Sequence, residues 1–186
     1  ELIKCIKKGI TSCAILLMHG YKYVNHEKTN LELAYSLGFK QVSASHEIST
    51  QIRFVERGDT TVIDAYLTPV LKRYVEQLVE NFSGDLGHKL KFMQSNGGLI
   101  SKDLFRGKDA ILSGPAGGVV GAVEVSKKLG ENRIIGFDMG GTSTDVCHFS
   151  GRYERTHRSQ IAGVRLASPM MNINTVAAGG GSILSY

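Results

Sequence analysis

The chain has 186 residues, which is enough for one domain of ordinary size or for two small lobes. Hydrophobic residues make up 42% and charged residues 21%, and the longest apolar run, residues 13–18, is too short to span a membrane, so disordered, fibrous and membrane-spanning classes are excluded. The 22 basic and 17 acidic residues give a net charge of +5, but the basic residues are scattered, which favours an ordinary solvated surface over a nucleic-acid partner.

The cysteines and the two ends of the chain indicate its context. Cys5, Cys13 and Cys147 stand at unrelated spacings that fit neither a disulfide framework nor a zinc site, and they suit a reducing cytoplasm. Neither end carries a polar tail, and the last residues follow a glycine-rich turn. We therefore expect the chain to be a piece of a larger cytoplasmic protein.

The first fifty residues predict a β-α-β unit. Residues 1–9 are typical of the end of a helix, and the apolar run Ser12–Met18 predicts a buried strand. His26–Leu37 has its apolar residues on one side and is followed by Gly38, as expected for a helix with a glycine stop. Gln41–Ile48 predicts a second strand, and parallel pairing is the default for strands joined in this way.

A long helix is predicted over Thr60–Phe82. Its apolar residues recur every three or four positions and form one stripe: Leu67, Leu71, Tyr74, Leu78 and Phe82. Pro69 leaves two interpretations open, since Thr68 either caps a helix that begins at Pro69 or lies in a longer helix with a kink. Residues 81–87 are rich in turn formers and are the best candidate for a linker.

The second half of the chain predicts strands joined by glycine-rich turns, and hence a mixed α/β fold. In chain order we predict a strand at Lys89–Met93, a tight turn at Ser95–Gly98, a strand, turn and helix within Ala110–Gly130, a strand at Arg133–Phe137, a glycine turn, a return strand at Val146–Phe149 and a third strand of the same meander that begins at Arg152.

The sharpest chemical signal is the run DMGGTSTD at residues 138–145. It combines two glycines, three hydroxyl residues and two carboxylates: Gly140, Gly141, Thr142, Ser143, Thr144, Asp138 and Asp145. The glycines can take positive φ angles and turn N–H groups toward one point, and the hydroxyls add donors, as a phosphate requires. The carboxylates would repel a phosphate directly, so as catalytic residues they make sense either with a cation between them or as a base for an attacking water. The run therefore predicts a Mg²⁺–nucleotide site with both aspartates on the metal, in preference to a plain hairpin turn.

Two further glycine clusters are candidates for the same ligand. Ser113–Gly118 precedes a predicted helix, where it either seats an anion at the helix N-terminus or allows close packing against the sheet. Ala178–Ser182 follows apolar residues, and we interpret it as a nucleotide contact rather than a turn alone. The candidate residues in these clusters are Gly114, Gly117, Gly118, Gly179, Gly180, Gly181 and Ser182.

Other polar groups receive less specific interpretations. The turn at 94–98 favours a structural role over substrate contact, and the polar cluster at 53–61 favours a hinge or subunit surface. The pairs His26–Glu27 and His46–Glu47 allow a metal or acid–base role, but hydrogen-bonded structural histidines are favoured. Neither a Walker A loop nor a serine-nucleophile elbow occurs in the sequence.

Several longer runs resemble a known family. They are SASHEIS at 43–49, TTVIDAYLTPVLKRY at 60–74, FMQSNGGL at 92–99, ILSGPAGGVVGA at 111–122, IIGFDMGGTSTDV at 134–146 and TVAAGGGSI at 175–183. Together they resemble the hydantoinase A/5-oxoprolinase family over nearly the whole chain. Asp64 and Gly20 stand where the family pattern has Asn and Ser.

The resemblance implies a fold like that of actin, Hsp70 and hexokinase, in which two RNase H-like lobes of mixed sheets and helices close over ATP. Members carry an earlier D-x-G-G-T loop that this chain lacks before Asp138, and they continue past Ser182. We therefore expect a partial two-lobe fragment. It would hold the end of the first lobe at 1–58, a connecting helix and linker at 59–88, and the start of the second, nucleotide-binding lobe at 89–186.

The resemblance also implies a reaction, namely ATP-dependent opening of 5-oxoproline or a hydantoin through phosphorylation of the lactam oxygen. The residues at 138–145 would hold phosphate and Mg²⁺, and those at 179–182 would contact the nucleotide. A hydantoinase B-type subunit or domain would be the partner, a homo-oligomer is compatible with this scheme, and the isolated chain would be inactive. Two alternatives remain open: the ATP-using subunit of an acetone- or acetophenone-type carboxylase, and a non-enzymatic ATP-switch module.

Overall fold

A computed structural model of the chain describes residues 1–82, 86–161, 163–183 and 185. Helices alternate with short strands, which confirms the predicted mixed α/β class. The helices are α1 (Leu2–Lys7), α2 (Asn25–Ser36), α3 (Ser45–Ile48), α4 (Phe54–Glu80), α5 (Leu86–Lys89), α6 (Gly107–Ala110) and α7 (Ser113–Lys128). The strands are β1 (Ser12–Ile15), β2 (Gln41–Ala44), β3 (Lys91–Met93), β4 (Leu99–Ser101), β5 (Arg133–Met139), β6 (Thr144–Ser150), β7 (Arg155–Thr156), β8 (Ser159–Ile161), β9 (Val164–Leu166), β10 (Met170–Met171) and β11 (Asn174–Val176).

The predicted β-α-β unit is confirmed. Strands β1 and β2 pair in parallel, from Ser12 opposite Gln41 to Ile15 opposite Ala44, and α2 connects them. Ala34 of α2 packs with Phe39 and Val42 in a buried apolar cluster. Both strands are shorter than predicted. After Ile15, backbone groups form hydrogen bonds with buried side chains and not with a neighbouring strand. After Ala44, helix α3 begins at Ser45.

A buried ion network explains those early strand ends. Arg57 and Glu27 are both 0% exposed. Arg57 donates to the carbonyls of Leu17 and Met18 at 2.7 and 3.1 Å through Nη2, and to those of Gln51 and Ile52 at 2.7 and 3.1 Å through Nη1. These carbonyls are satisfied without a neighbouring strand, as buried backbone groups must be.

The Glu27 carboxylate completes this network. It accepts hydrogen bonds from the amides of Leu17 and His46 at 2.8 and 2.9 Å, and from Ser45 Oγ at 2.7 Å. It also lies 2.8 Å from His46 Nδ1. A Cβ at Gly20 would collide with Glu27 Oε1, so the glycine makes room for this carboxylate.

Helix α4 begins earlier than predicted, at Phe54, and it contains Pro69, as in the longer-helix interpretation. The predicted apolar stripe is not its most buried face, since Tyr74 is 57% and Phe82 45% exposed. The buried face is mostly polar and includes Arg57, Thr60, Thr61, Asp64 and Thr68. Most of these polar residues have specific partners on the elements that flank α4, whereas Thr61 donates to the Arg57 carbonyl within the helix.

Those partners connect α4 to both halves of the chain. Asp64 accepts from Ser43 Oγ at 2.7 Å on one side and from the Lys108 amide at 3.2 Å on the other. Thr68 accepts from the Gly107 amide at 2.9 Å and lies inside α4, so it does not cap a helix that begins at Pro69. Thr60 accepts from the Ala167 amide at 2.8 Å. The partners of Asp64 are all donors, which suits a carboxylate.

The second half departs from prediction in its connections. The turn predicted at 95–98 is confirmed, and it joins β3 to β4, a strand that the sequence did not predict. Residues 110–112 form no strand, because α6 ends at Ala110 and α7 begins at Ser113. The glycine cluster at 113–118 is therefore the first part of α7 instead of a turn before it.

The predicted three-strand meander is also corrected. β5 and β6 form the expected antiparallel hairpin, but the third strand beside β6 is β11. After Gly151 the chain makes a single bridge at Tyr153, and β7 then pairs with β10. Strand β11, which is distant in sequence, thus lies beside β6 where a strand beginning at Arg152 was predicted.

The predicted linker and domain limits remain predictions. Residues 83–85 of the linker lie outside the described residues. Helix α4 runs across the predicted boundary at residue 58. In the part of the chain that the structure describes, no helix combines the length and apolar character needed to cross a membrane.

Replacing Glu27 with Gln should lower the free energy of unfolding by about 3 kcal/mol, because the buried Arg57 then lacks a nearby counter-charge. Chemical denaturation at neutral pH measures this loss. Glu32→Gln, at an exposed position on the same helix, is the matched control, with an expected change below about 0.5 kcal/mol. Equal losses in both variants would contradict the role given to the network.

The same carboxylate should make stability depend on pH. Burial raises the pKa of Glu27, but hydrogen bonds from Ser45, Leu17 and His46 outweigh it and hold the pKa below its ordinary value of 4.5. As the pH falls, the unfolded chain takes up the proton first, so the stabilisation is complete above pH 4.5 and is lost through the lower pKa of the folded state. Below pH 4.5 the stability of the wild type should therefore fall more steeply than that of Glu27→Gln. Parallel pH profiles would contradict the assignment.

Candidate functional site

The β5–β6 hairpin brings the two aspartates of the 138–145 loop together. The register places Asp138 directly opposite Asp145 and Met139 opposite Thr144. Residues opposite each other in an antiparallel ladder project from the same face, so the two carboxylates are neighbours. Like charges in this position are destabilising, and a cation between them would remove the repulsion.

Both aspartates line a cavity of about 160 Å³ between the hairpin and α7. Its other lining residues include Pro115, Gly118 and Ile173. A Cβ at Gly118 would lie 3.2 Å from Asp138 Oδ2, so α7 approaches the carboxylate closely at this position. The glycine cluster at 113–118 therefore reaches the site at Gly118. A Cβ at Gly117 would instead lie 3.7 Å from Met93 Cγ.

The glycine cluster at 178–182 packs directly on the loop at 138–145. The amides of Gly180 and Gly181 donate to the carbonyls of Gly140 and Gly141 at 2.9 and 3.0 Å. A Cβ at Gly179 would lie 2.7 Å from Gly140 O, a distance that only glycine avoids. The cluster thus braces the loop backbone, and its amides are engaged in that contact.

The Ser182 end of this cluster folds back on itself. The Gly179 amide donates to Ser182 Oγ at 3.0 Å, and the Ser182 amide donates to Gly179 O at 2.9 Å. A direct nucleotide contact by these groups would require them to exchange partners. The contact of residues 179–182 with a nucleotide stays a prediction.

The loop keeps its own donors open at the turn. Gly140 donates to Ser143 O at 2.9 Å. Among the residues that the structure describes, the amides of Gly141, Thr142 and Ser143 have no hydrogen-bond acceptor. Neither glycine has a φ in the left-handed region, which corrects the reason given for them from the sequence. A Cβ at Gly141 would meet nothing within 4 Å, so space lies open beside these amides.

Two threonines hold the hairpin and its neighbour in place. Thr144 is buried, and its hydroxyl donates to Ala178 O at 2.6 Å, so it holds the glycine cluster at 178–182. Thr175 Oγ1 donates to Asp145 Oδ1 at 2.6 Å. Sequence reasoning missed Thr175, because its role follows from the pairing of β11 with β6, which places Thr175 opposite Asp145.

The aspartate pair fits a magnesium ion that arrives with phosphate. Within the described ranges, no group of three or more His, Cys, Asp or Glu side chains could hold a metal by itself. Mg²⁺ commonly uses one or two carboxylates together with phosphate oxygens and water. Asp138 and Asp145 offer that donor set, and no ion pair joins either one to a basic side chain of the described residues.

The other polar candidates have structural partners. His46 lies against Glu27, and His148 Nδ1 is 2.7 Å from Glu154 Oε1. Ser95 Oγ donates to Asp109 O at 2.7 Å, and Asn96 Oδ1 accepts from the Gly98 amide at 2.7 Å. These contacts agree with the structural interpretations of His46 and of the turn at 94–98.

Comparison with known proteins places these features in a family. The hydantoinase/oxoprolinase family model matches residues 57–186. The 5-oxoprolinase 1 of Arabidopsis thaliana is 49% identical over 183 residues, which cover 97% of this chain but 14% of that relative. The alpha subunit of caprolactamase from Pseudomonas jessenii is 39% identical, and the match covers 95% of this chain and 26% of the subunit.

Two solved structures share the fold. The ATP-dependent caprolactamase of Pseudomonas jessenii superposes with a TM-score of 0.80 at 33% identity, over 99% of this chain and 28% of that one. A nucleotide-free acetone carboxylase gives a TM-score of 0.80 at 26% identity, over 95% of this chain and 26% of that one. The chain thus spans a small share of each protein that it matches.

Replacing Gly179 with Ala should destabilise the protein by about 1–3 kcal/mol, because the added methyl group collides with the backbone at Gly140. Thermal unfolding measures the loss, and hydrogen exchange at residues 138–145 should become faster. The control is Gly121→Ala in α7, where a Cβ meets nothing within 4 Å and a helix gains from alanine. Unchanged exchange in Gly179→Ala would show that the loop does not depend on this contact.

Proposed function

This chain belongs to the hydantoinase/oxoprolinase family, and we propose that it forms the phosphate-binding part of an enzyme that uses ATP to open a cyclic amide, 5-oxoproline or a hydantoin. The observation that carries the proposal is the pairing of Asp138 and Asp145 beside a loop whose amides are open. The name of the Arabidopsis relative supports the substrate class.

The loop would bind the phosphates through its backbone and hydroxyl groups. The open amides of Gly141, Thr142 and Ser143 are donors of the kind that a phosphate oxygen accepts from, and the side chains of Thr142 and Ser143 add hydroxyl donors. The first turn of α7 reaches the cavity at Pro115 and would add the positive end of a helix dipole. Thr144 and Gly179 would support the loop without touching the ligand.

The aspartates would hold the magnesium ion of Mg–ATP, in part through water. When bound, that ion would neutralise the phosphate charge that the carboxylates otherwise repel. Thr175 fixes one oxygen of Asp145 and leaves the other available. Catalysis of phosphoryl transfer depends mainly on such positioning and charge neutralisation.

The chemical reason for using ATP lies in the amide. A lactam carbonyl is a poor electrophile, and its ring nitrogen is a poor leaving group. Transfer of the γ-phosphoryl group from ATP to the carbonyl oxygen, with release of ADP, would make the carbon electrophilic enough for water to add. The C–N bond would then break as the nitrogen takes up a proton, which opens the ring and leaves an acyl phosphate. A second water would hydrolyse the acyl phosphate to a carboxylate and inorganic phosphate. We assign ring hydrolysis to a partner subunit or domain, because one matched relative is the alpha subunit of a caprolactamase.

We place the protein in the cytoplasm, because Cys5, Cys13 and Cys147 are free thiols.

A second candidate function is the ATP-using part of a ketone carboxylase. The fold shared with acetone carboxylase supports it. Both reactions activate a weak electrophile or acceptor with ATP, so the loop serves either one. ATP hydrolysis by the complete gene product, tested with 5-oxoproline, with hydantoins, and with a ketone plus bicarbonate, separates them.

Asp138→Asn should lower amide-dependent ATP hydrolysis by about 100-fold or more, because one of the two metal-binding carboxylates is neutralised. The assay uses the complete gene product with its partner subunit, Mg²⁺ and 5-oxoproline. Asp103→Asn, an exposed aspartate in a 3₁₀ turn, should leave the rate unchanged. An active Asp138→Asn variant would remove the metal role from this loop.

Thr175→Val should raise the Mg²⁺ concentration needed for half-maximal activity by about 10-fold, because Asp145 loses the donor that orients it. Thr175→Ser keeps the hydroxyl and should restore the wild-type value. A purely structural role would change the melting temperature without changing the Mg²⁺ requirement.

A further inference from the structure

A second cavity, of about 500 Å³, adjoins the candidate phosphate site. Ile173 lines both cavities. Thr175 lines the second cavity and donates to Asp145 at 2.6 Å. The volume is in the range of small-molecule sites. A compound held there would lie next to the aspartates that we assign to the metal and phosphates.

The lining of this cavity combines one basic group with amide and apolar groups. Arg158, Gln160 and Asn172 supply polar side chains, while Leu112 and Ile173 supply apolar surface. A small polar ring with a negative charge requires this combination, since apolar surface contacts the ring and a few polar groups fix its orientation.

Arg158 is held in place through its backbone and remains available at its tip. Thr156 Oγ1 donates to Arg158 O at 2.7 Å and accepts from its amide at 3.3 Å. Arg158 Nε lies 3.3 Å from Glu56 Oε2, and the side chain is 54% exposed. Within the described residues, neither Nη group has a partner, so both can donate to a ligand carboxylate.

Leu112 marks the junction between the two cavities. It has a φ of 58°, a left-handed conformation that is unfavourable for a branched residue, and it directly precedes α7. Its side chain lines the second cavity, while Pro115 and Gly118 on the following turns line the first. Such strained residues concentrate at ligand sites, where the surrounding structure enforces them.

We propose that the second cavity binds the cyclic amide and that Arg158 selects a substrate bearing a carboxylate. The inference rests on the proposed function and extends it to the choice of substrate. Two parallel hydrogen bonds from the Nη groups would recognise the carboxylate, while the ring carbonyl faces the shared wall at Ile173 and Thr175. 5-Oxoproline carries such a carboxylate, whereas 2-pyrrolidinone is the same ring without it.

The test measures Arg158→Gln in the complete gene product with its partner subunit. The KM for 5-oxoproline should rise by about 10-fold or more, while the KM for ATP stays within about twofold. The preference for 5-oxoproline over 2-pyrrolidinone should fall by the same factor, since the uncharged ring never used the arginine. An unchanged KM and preference would overturn the proposal.

Two control variants distinguish substrate binding by Arg158 from a structural role of this residue. Arg165→Gln removes an arginine of similar exposure that pairs with Asp59, and it should change neither KM. Glu56→Gln breaks the ion pair of Arg158 but keeps the guanidinium, so it should leave the KM for 5-oxoproline within about threefold. A rise in Glu56→Gln equal to that in Arg158→Gln would assign Arg158 a structural role and overturn the proposal.

Direct binding distinguishes failure of this inference from failure of the proposed function. Calorimetry should detect 5-oxoproline binding to the wild type and its loss in Arg158→Gln, even when no cyclic amide stimulates ATP hydrolysis. Stimulated hydrolysis that Arg158→Gln leaves intact would overturn the substrate site alone. No binding of 5-oxoproline to the wild type would overturn it as well.

Discussion

The described structure depends on one long helix whose buried face is polar. Arg57, Thr60, Asp64 and Thr68 follow one another along α4 and bond to segments on both sides of it. Removing a charged pair from water costs several kcal/mol per ion, so Arg57 and Glu27 persist only because their hydrogen-bonding groups are matched. These hydrogen bonds are directional and therefore fix the positions of the bonded loops, which non-directional apolar contacts alone would not do. The positions of β2, α6 and β9 relative to α4 follow from those bonds.

The local parts of this arrangement could be predicted from the sequence. Apolar runs, the glycine after α2 and the hairpin around 138–145 depend on neighbours along the chain, and each was found within a few residues of its observed limits. The polar face of α4 could not be predicted, because hydrophobic periodicity detects only the apolar stripe through Tyr74, whereas the polar residues are buried by partners that are distant in sequence. The pairing of β11 with β6 was missed for a related reason, since Thr175 and Asp145 are distant in sequence.

The candidate site shows the same division. The sequence identified Asp138, Asp145 and the glycines between them by residue type, and the structure adds their register and their cavity. It changes the interpretation of the glycine run at 179–181, whose amides bond to Gly140 and Gly141. Glycine was expected there for contact with a ligand, but the contact that requires it is backbone against backbone. The need for glycine at position 179 therefore follows from packing within the protein.

This bracing has a consequence for how the loop would bind phosphate. A loop that had to order itself around its ligand would lose binding free energy to conformational entropy. Here hydrogen bonds of Thr144 and Gly180 join the loop to the glycine cluster at 178–182, while the amides at 141–143 have no acceptor among the described residues. What remains unfavourable is the repulsion between Asp138 and Asp145, which a Mg²⁺–nucleotide would relieve. The loop would thus be ordered before binding, and the open amides together with neutralisation of the carboxylate pair would favour the bound nucleotide.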